Sequence, residues 1–171
     1  FKYNKSANFG GGIANVYAGT VNINNADFDE NKAQKSGGAI YNGIDVNYGG
    51  GSGVDSTNHG IINLTGVNTF KNNKAGLYGG AIYNDAGGTI NFAGTNTFAN
   101  NFAGKYKNDI YNMGTLNVTS GTLNIDGGIT GETGVLNIAK DATMNMGTAT
   151  VIQDAINIDG TVNASALSSY D

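Results

Sequence analysis

The hexapeptide Gly79-Gly80-Ala81-Ile82-Tyr83-Asn84 repeats letter for letter at Gly37-Gly38-Ala39-Ile40-Tyr41-Asn42. A blurred copy stands earlier at Gly10-Gly11-Gly12-Ile13-Ala14-Asn15. Another stands later at Lys107-Asn108-Asp109-Ile110-Tyr111-Asn112, where the glycine pair is lost. Each copy follows a Phe-x-x-Asn, at Phe1 to Asn4, Phe28 to Asn31, Phe70 to Asn73 and Phe98 to Asn101, so the two motifs travel as one unit. Such self-similarity marks a repeat architecture, in which one unit cannot bury its apolar face alone and stacks on its neighbours instead.

After each hexapeptide comes a short run in which apolar and polar residues alternate: Thr20-Val21-Asn22-Ile23, Ile61-Ile62-Asn63-Leu64 and Thr89-Ile90-Asn91-Phe92. Period two is the signature of a half-buried strand, and no window sustains the 3.6-residue period of an amphipathic helix. Beyond Asn112 the hexapeptide disappears but the alternation continues through Leu116, Leu123, Leu136, Met144, Ile156 and Val162. With one inward anchor per strand, the chain sorts into triplets. They are Ile13, Val21, Phe28; Ile40, Ile62, Phe70; Ile82, Ile90, Phe98; Ile110, Leu116, Leu123; Ile129, Leu136, Met144; and Val151, Ile156, Val162.

Three short strands per period describe an all-β right-handed parallel β-helix. Equivalent strands lie about 4.8 Å apart in three parallel sheets, and about six coils make a rod of about 30 Å. An antiparallel sandwich would need hairpin turns at regular spacing, whereas the single Asn-Gly, Asn42-Gly43, opens a long loop. The expected organisation is one β-helix over 1–171: motif-bearing coils over 1–112, shorter generic coils over 113–171, and a protruding loop at 43–59. The surplus of the second period lies in that loop, and insertions in a solenoid go outward.

Within the hexapeptide the Ile is expected to point inward and the preceding Ala to sit at the sheet surface. Tyr41, Tyr83 and Tyr111 then point outward as a stacked aromatic strip, worth about 0.5–1.5 kcal/mol per pair. Phe28, Phe70 and Phe98 form an internal stack. Asn31, Asn73 and Asn101 form a turn ladder that satisfies backbone groups at the corner, and Asn42, Asn84 and Asn112 form a second. The glycine pairs allow positive φ before the strand or close approach of coils.

Composition narrows the function. Of 171 residues 28 are Gly and 27 are Asn, while Pro, Cys, Trp and Arg are absent. A net charge of -4 with nine Lys and no Arg argues against a nucleic-acid partner. The lack of Cys removes disulfides and thiol chemistry, and no run approaches the roughly 20 apolar residues of a membrane helix, so no membrane insertion is expected of this segment. Because Phe1 opens inside a repeat, the chain is expected to be part of a longer protein or a mature product.

Catalytic signals are sparse. Gly50-Gly51-Ser52-Gly53-Val54-Asp55 matches the opening of a calcium-binding nonapeptide repeat, making Asp55 the one metal candidate, but a single copy cannot form a site that lies between copies. His59 is the sole histidine and has no second imidazole to share a metal. Polysaccharide hydrolysis needs two facing carboxylates, and Asp27, Asp29 and Glu30 have no acidic counterparts in neighbouring units. The residues at the place of Glu30 are Tyr3, Asn72 and Asn100. No enzyme activity and no cofactor are expected.

Gly-Gly-Ala-Ile together with Phe-x-x-Asn resembles the paired motifs of the chlamydial-type polymorphic membrane proteins, autotransporters whose passenger is a right-handed β-helix on the bacterial surface. The resemblance covers about Phe1 to Asn112, with complete pairs at Phe28 to Ile40 and Phe70 to Ile82; the remainder looks like generic passenger coils. It implies a bacterial cell-surface or extracellular adhesin or stalk segment, exported through a C-terminal barrel that this stretch does not encode. Its partner would be a host-cell or bacterial surface protein or glycan. The motif residues Phe28, Asn31, Gly37, Gly38, Ala39, Ile40, Phe70, Asn73, Gly79, Gly80, Ala81 and Ile82 would take part in adhesion. Two other expectations stand beside it: a fibre subunit stacking end to end as a homo-oligomer through open strand edges, and a tailspike-like polysaccharide-binding or cleaving β-helix.

Overall fold

A computed structural model describes residues 1–44 and 59–165. They form an all-β stack of parallel strands, with no helix among the described residues. The chain passes in turn through four sheets, each built from equivalent strands of successive layers. The hexapeptide sheet holds Ile13–Val16, Ile40–Gly43, Ile82–Asn84, Ile110–Asn112 and Ile129–Thr130. The alternating sheet holds Thr20–Asn24, Ile61–Thr65, Thr89–Phe92, Thr115–Val118, Val135–Ile138 and Ala155–Ile158. The phenylalanine sheet holds Asp27–Asp29, Val67–Lys71, Thr95–Ala99, Gly121–Asn124, Ala142–Gly147 and Thr161–Ala164.

The fourth, short sheet is absent from the three-sheet expectation. It consists of Lys5–Ser6, Lys32–Ala33, Lys74–Ala75, Phe102–Ala103 and Tyr106–Lys107, the last pairing antiparallel with its neighbour. Two-residue strands are too short to show alternation, yet the sequence does carry a signal for them. Each Phe-x-x-Asn is followed by a large residue and then a small one, and the small residues Ala33, Ala75 and Ala103 are buried while Lys32 and Lys74 are exposed.

Register places like on like. Ile13, Ile40, Ile82, Ile110 and Ile129 lie in one column, with Val151 bridged to its end. Val21, Ile62, Ile90, Leu116, Leu136 and Ile156 form a second column. In the third, Phe28, Phe70 and Phe98 are in register, but Leu123 pairs with Asn96, not Phe98. Thus Leu123, Met144 and Val162 continue the column of Asn68 and Asn96. A strand of the phenylalanine sheet offers two inward positions two residues apart. The motif layers put Ala26, Asn68 and Asn96 at the first and Phe at the second, whereas the later layers fill the first with Leu123, Met144 and Val162, so a single-anchor count slips by one pair.

The two glycines of each pair do different work. Gly37 and Gly79 sit at φ of 67° and 62°, where a side chain would meet the backbone carbonyl three residues on. A Cβ on Gly38 would lie 2.0 Å from the Gly80 carbonyl oxygen, so the second glycine lets adjacent layers touch. Just after this turn Ala39 and Ala81 are fully buried beside Ile40 and Ile82, contrary to the expected surface position. The Ala39 and Ile40 amides both donate to the Ala81 carbonyl, so the chain is turning a corner here and two consecutive side chains face inward. The opposite corner is also left-handed: Tyr3, Glu30, Asn72 and Asn100, the third residue of each Phe-x-x-Asn, have φ between 54° and 60°.

Candidate functional site

The motif residues are interior. Phe28, Asn31, Ala39, Ile40, Phe70, Asn73, Ala81 and Ile82 have no accessible surface, and Gly37, Gly38, Gly79 and Gly80 are buried with them. The rings of Phe1, Phe28, Phe70 and Phe98 are coplanar to within 3°, at centroid separations of 4.7, 4.7 and 4.5 Å. Phe28, Phe70 and Phe98 are buried between layers, whereas Phe1, at the end of the stack, is 54% exposed.

Beside the rings runs an amide ladder. The Nδ2 of Asn4 donates to Oδ1 of Asn31 at 2.8 Å, Asn31 to Asn73 at 3.0 Å, and Asn73 to Asn101 at 3.0 Å. Each Oδ1 also accepts the backbone N–H of the asparagine in the preceding layer. Each Nδ2 also donates back to a phenylalanine carbonyl, Asn31 to Phe1, Asn73 to Phe28 and Asn101 to Phe70, all at 3.0 Å. Every polar atom of the buried amide is thereby used, which is the condition for burying it without loss.

The ladder ends at Asp109, whose Oδ1 accepts from Asn101 Nδ2 at 2.8 Å and whose Oδ2 accepts the Asp126 and Gly127 amides at 2.9 and 2.6 Å. Burial pushes this carboxyl above the ordinary aspartate value, and the three donors partly offset it. A second ladder runs from Asn15 to Asn42, Asn84 and Asn112 at 2.8, 2.8 and 2.7 Å and ends on Gln153.

The tyrosines stack in register but do not form an open strip. Tyr41, Tyr83 and Tyr111 have centroids 5.2 and 5.6 Å apart and are nearly coplanar. Phe9 covers Tyr41 at 4.5 Å and Tyr78 leans on Tyr111 at 4.6 Å. Tyr41 is only 3% exposed, and its hydroxyl donates to the Ile44 carbonyl at 3.1 Å. Burial and the neighbouring Asp85 push the Tyr83 phenol well above its ordinary pKa. Residues distant in sequence supply the cover, so the pattern of the hexapeptide alone cannot show it.

The acids beside Phe28 are paired. Lys2 lies 2.8 Å from Asp27 and 3.9 Å from Asp29, and Thr69 donates to Asp27. Lys2 and Thr69 together hold the Asp27 carboxyl below its usual range. His59 packs its ring against Gly87, and its buried Nδ1 has no partner among the described residues. No group of three His, Cys, Asp or Glu side chains stands together among the described residues. Asp55, and most of the expected 43–59 loop, lie outside the described residues.

On the outward side of the short sheet the structure brings Lys5, Lys32 and Lys74 into one row by strand register. The net charge of -4 gives no sign of this grouping. The repeated Asn-Lys-Ala carries the signal for it, but only once the short sheet is known.

The family model of the Chlamydia polymorphic membrane protein repeat matches residues 25–43 and 69–85, which hold the two complete motif pairs. Among curated proteins and among solved structures no match to the chain is found. The matched stretches each run from the phenylalanine sheet through the short sheet into the hexapeptide sheet, so the repeat unit is the corner and its two ladders. This chain, an all-β stack of parallel strands, resembles a passenger segment of the Chlamydia polymorphic membrane protein type through the repeat matched at residues 25–43 and 69–85.

Proposed function

We propose that the chain is a non-enzymatic adhesin or stalk segment at a bacterial cell surface, built as a right-handed β-helix of about six coils. Support for the hand comes from the general preference of parallel crossover connections for right-handed paths, and support for the location from the matched repeat. The observation that carries the proposal is the use of the motif. Its rings and amides are spent on layer-to-layer contacts, which makes a stiff post whose outward side chains are free to differ from layer to layer. Such a post presents partners with its sides.

The test is binding of fluorescently labelled chain to cultured epithelial cells and to bacteria, alongside a reducing-sugar assay on bacterial polysaccharides. Saturable cell binding without release of reducing ends is expected. Cleavage of a polysaccharide, or no binding to any cell type by a folded chain, would overturn it. Protease treatment of intact cells that carry the natural protein should remove this segment; protection from protease would contradict the surface location.

A further inference from the structure

Charge is divided unevenly along the stack. Residues 1–44 and 59–107 hold eight lysines against four acids, whereas 108–165 hold one lysine against six acids. Within the first region the lysines gather at one corner. Lys5, Lys32 and Lys74 are exposed and in register, followed in the same sheet by Phe102 and then, across the antiparallel pair, by Lys107. Adjacent strands lie about 4.8 Å apart, and like charges directly opposite one another destabilise a sheet. Among the described residues Lys5, Lys32 and Lys74 have no ion-pair partner; the lysine pairs are Lys2 with Asp27 and Asp29, and Lys107 with Asp126.

Next to the row runs a shallow groove of about 460 Å³, lined by Lys32 and Lys74 on one side, Glu30, Asn72 and Asn100 on the other, and Phe102 at one end. Asn72 and Asn100 are the left-handed corner residues, and both are exposed. The face therefore offers a cation at three successive layers, the Asn100 side-chain amide, the Oδ1 of Asn72, whose Nδ2 donates to Asp29 at 3.1 Å, and a half-buried aromatic ring.

From this arrangement we infer that the short-sheet face binds a sulfated linear polysaccharide, laid along the stack so that successive anionic groups meet Lys5, Lys32 and Lys74. Charge complementarity selects a polyanion. The exposed amides favour a hydroxyl-rich chain over a single-stranded polynucleotide, which is held by stacking successive bases on aromatic rings; Phe102 is the one ring in the groove. The inference rests on the adhesin reading only for where the polysaccharide would be met.

Heparin is the probe, measured by calorimetry against desulfated heparin, neutral dextran, single-stranded poly(dT) and phosphatidylserine vesicles. Heparin should bind best, and more weakly as salt rises toward and beyond about 0.15 M, because the contacts are exposed. The double variant Lys32→Gln/Lys74→Gln should lose at least about tenfold in affinity, roughly what 1.4 kcal/mol represents. Lys140→Gln, outside the face, should leave binding unchanged, and Glu30→Gln should strengthen it. Circular dichroism of the Lys32→Gln/Lys74→Gln variant should match that of the parent, since both side chains are exposed.

Equal loss in Lys140→Gln, equal or better binding of poly(dT), vesicles or dextran, or no heparin binding at all would overturn the inference. Failure here is distinguishable from failure of the adhesin reading. A chain that binds cells but not heparin sinks the lysine face alone; one that binds heparin through Lys32 and Lys74 but binds no cells sinks the adhesin reading alone.

Discussion

Residues 1–112 and 113–165 build the same kind of layer from different lengths of chain. In the first region equivalent ladder asparagines are 27, 42 and 28 residues apart; in the second, those of the alternating sheet are 20 apart. The shorter layers have no short sheet, no phenylalanine stack and no buried Phe-x-x-Asn ladder. They retain the Ile and Leu columns and an outer amide ladder that runs through both regions, from Asn22 through Asn63, Asn91, Asn117 and Asn137 to Asn157 at 2.8–2.9 Å. Stacking therefore needs only an apolar column and an outer ladder. The additional residues of the motif layers widen the cross-section, and a wider core needs its own polar bonds at the corner.

The sharpest way to break this comparison is Phe70→Ala, which removes the ring between Phe28 and Phe98. It should destabilise the protein by about 3–5 kcal/mol. Leu136→Ala in the narrow region should fall lower, toward about 2–3 kcal/mol. Urea denaturation of both decides, and equal costs would mean that the two cores are packed alike.

Next come the ladders. Asn73→Ala strands the Asn31 amide, the Asn31 backbone N–H and the Phe28 carbonyl, at about 1–3 kcal/mol for each buried group left unpaired. Asn137→Ala, in the half-buried outer ladder, leaves groups that water reaches and should cost under about 1 kcal/mol. Native-state hydrogen exchange should show the Asn31 amide losing its protection in the first variant while residues of the second region keep theirs. Uniform loss would show that the two regions unfold as one.

Asp109→Asn tests the join between the regions. The new amide would turn N–H donors toward the Asp126 and Gly127 amides, costing about 1–3 kcal/mol. Because the folded pKa of Asp109 is raised, its linkage contribution is fully present below the ordinary aspartate value and is lost as pH rises through the folded value. The stability gap between protein and variant should thus widen on going from neutral pH toward about 4. Asp27 and Asp126 have lowered values and act in the opposite sense in both proteins. A gap that narrows on acidification would mean that the three donors outweigh burial.

The smallest effect is a gain. Glu30 holds φ of 54° where other layers have Asn72 and Asn100, and asparagine tolerates the left-handed region better than glutamate. Glu30→Asn should raise stability by a few tenths to about 1 kcal/mol, read as a shift in the urea midpoint.

Most of the stack is legible in the sequence because identical letters recur where identical layers touch: the Ile column, the Phe column and both buried ladders follow from Ile40, Phe28, Asn31 and Asn42 and their copies. The short sheet is hidden because two residues cannot display a period. Leu123 is misaligned because its strand has two inward positions and the Phe that marks the second has gone. The cover over the tyrosines comes from Phe9 and Tyr78, which stand just before the hexapeptide of the preceding layer at one equivalent position, in register through Ser36, and so lie outside the six repeated letters. Lysine clustering stays invisible in a net charge, since it depends on which strands become neighbours.

The buried Phe-x-x-Asn ladder also has a grammar. An asparagine there both accepts from one neighbour and donates to the next, so a further unit carrying Asn can be spliced between two existing ones with every bond re-formed. An aspartate accepts at every atom and passes nothing on, as at Asp109. Asp109 stands not in a Phe-x-x-Asn but in the alanine place of its hexapeptide, in register with Ala81, so the ladder is closed from a neighbouring corner of its own last unit, and change in rod length by duplication of a unit is easy in front of it.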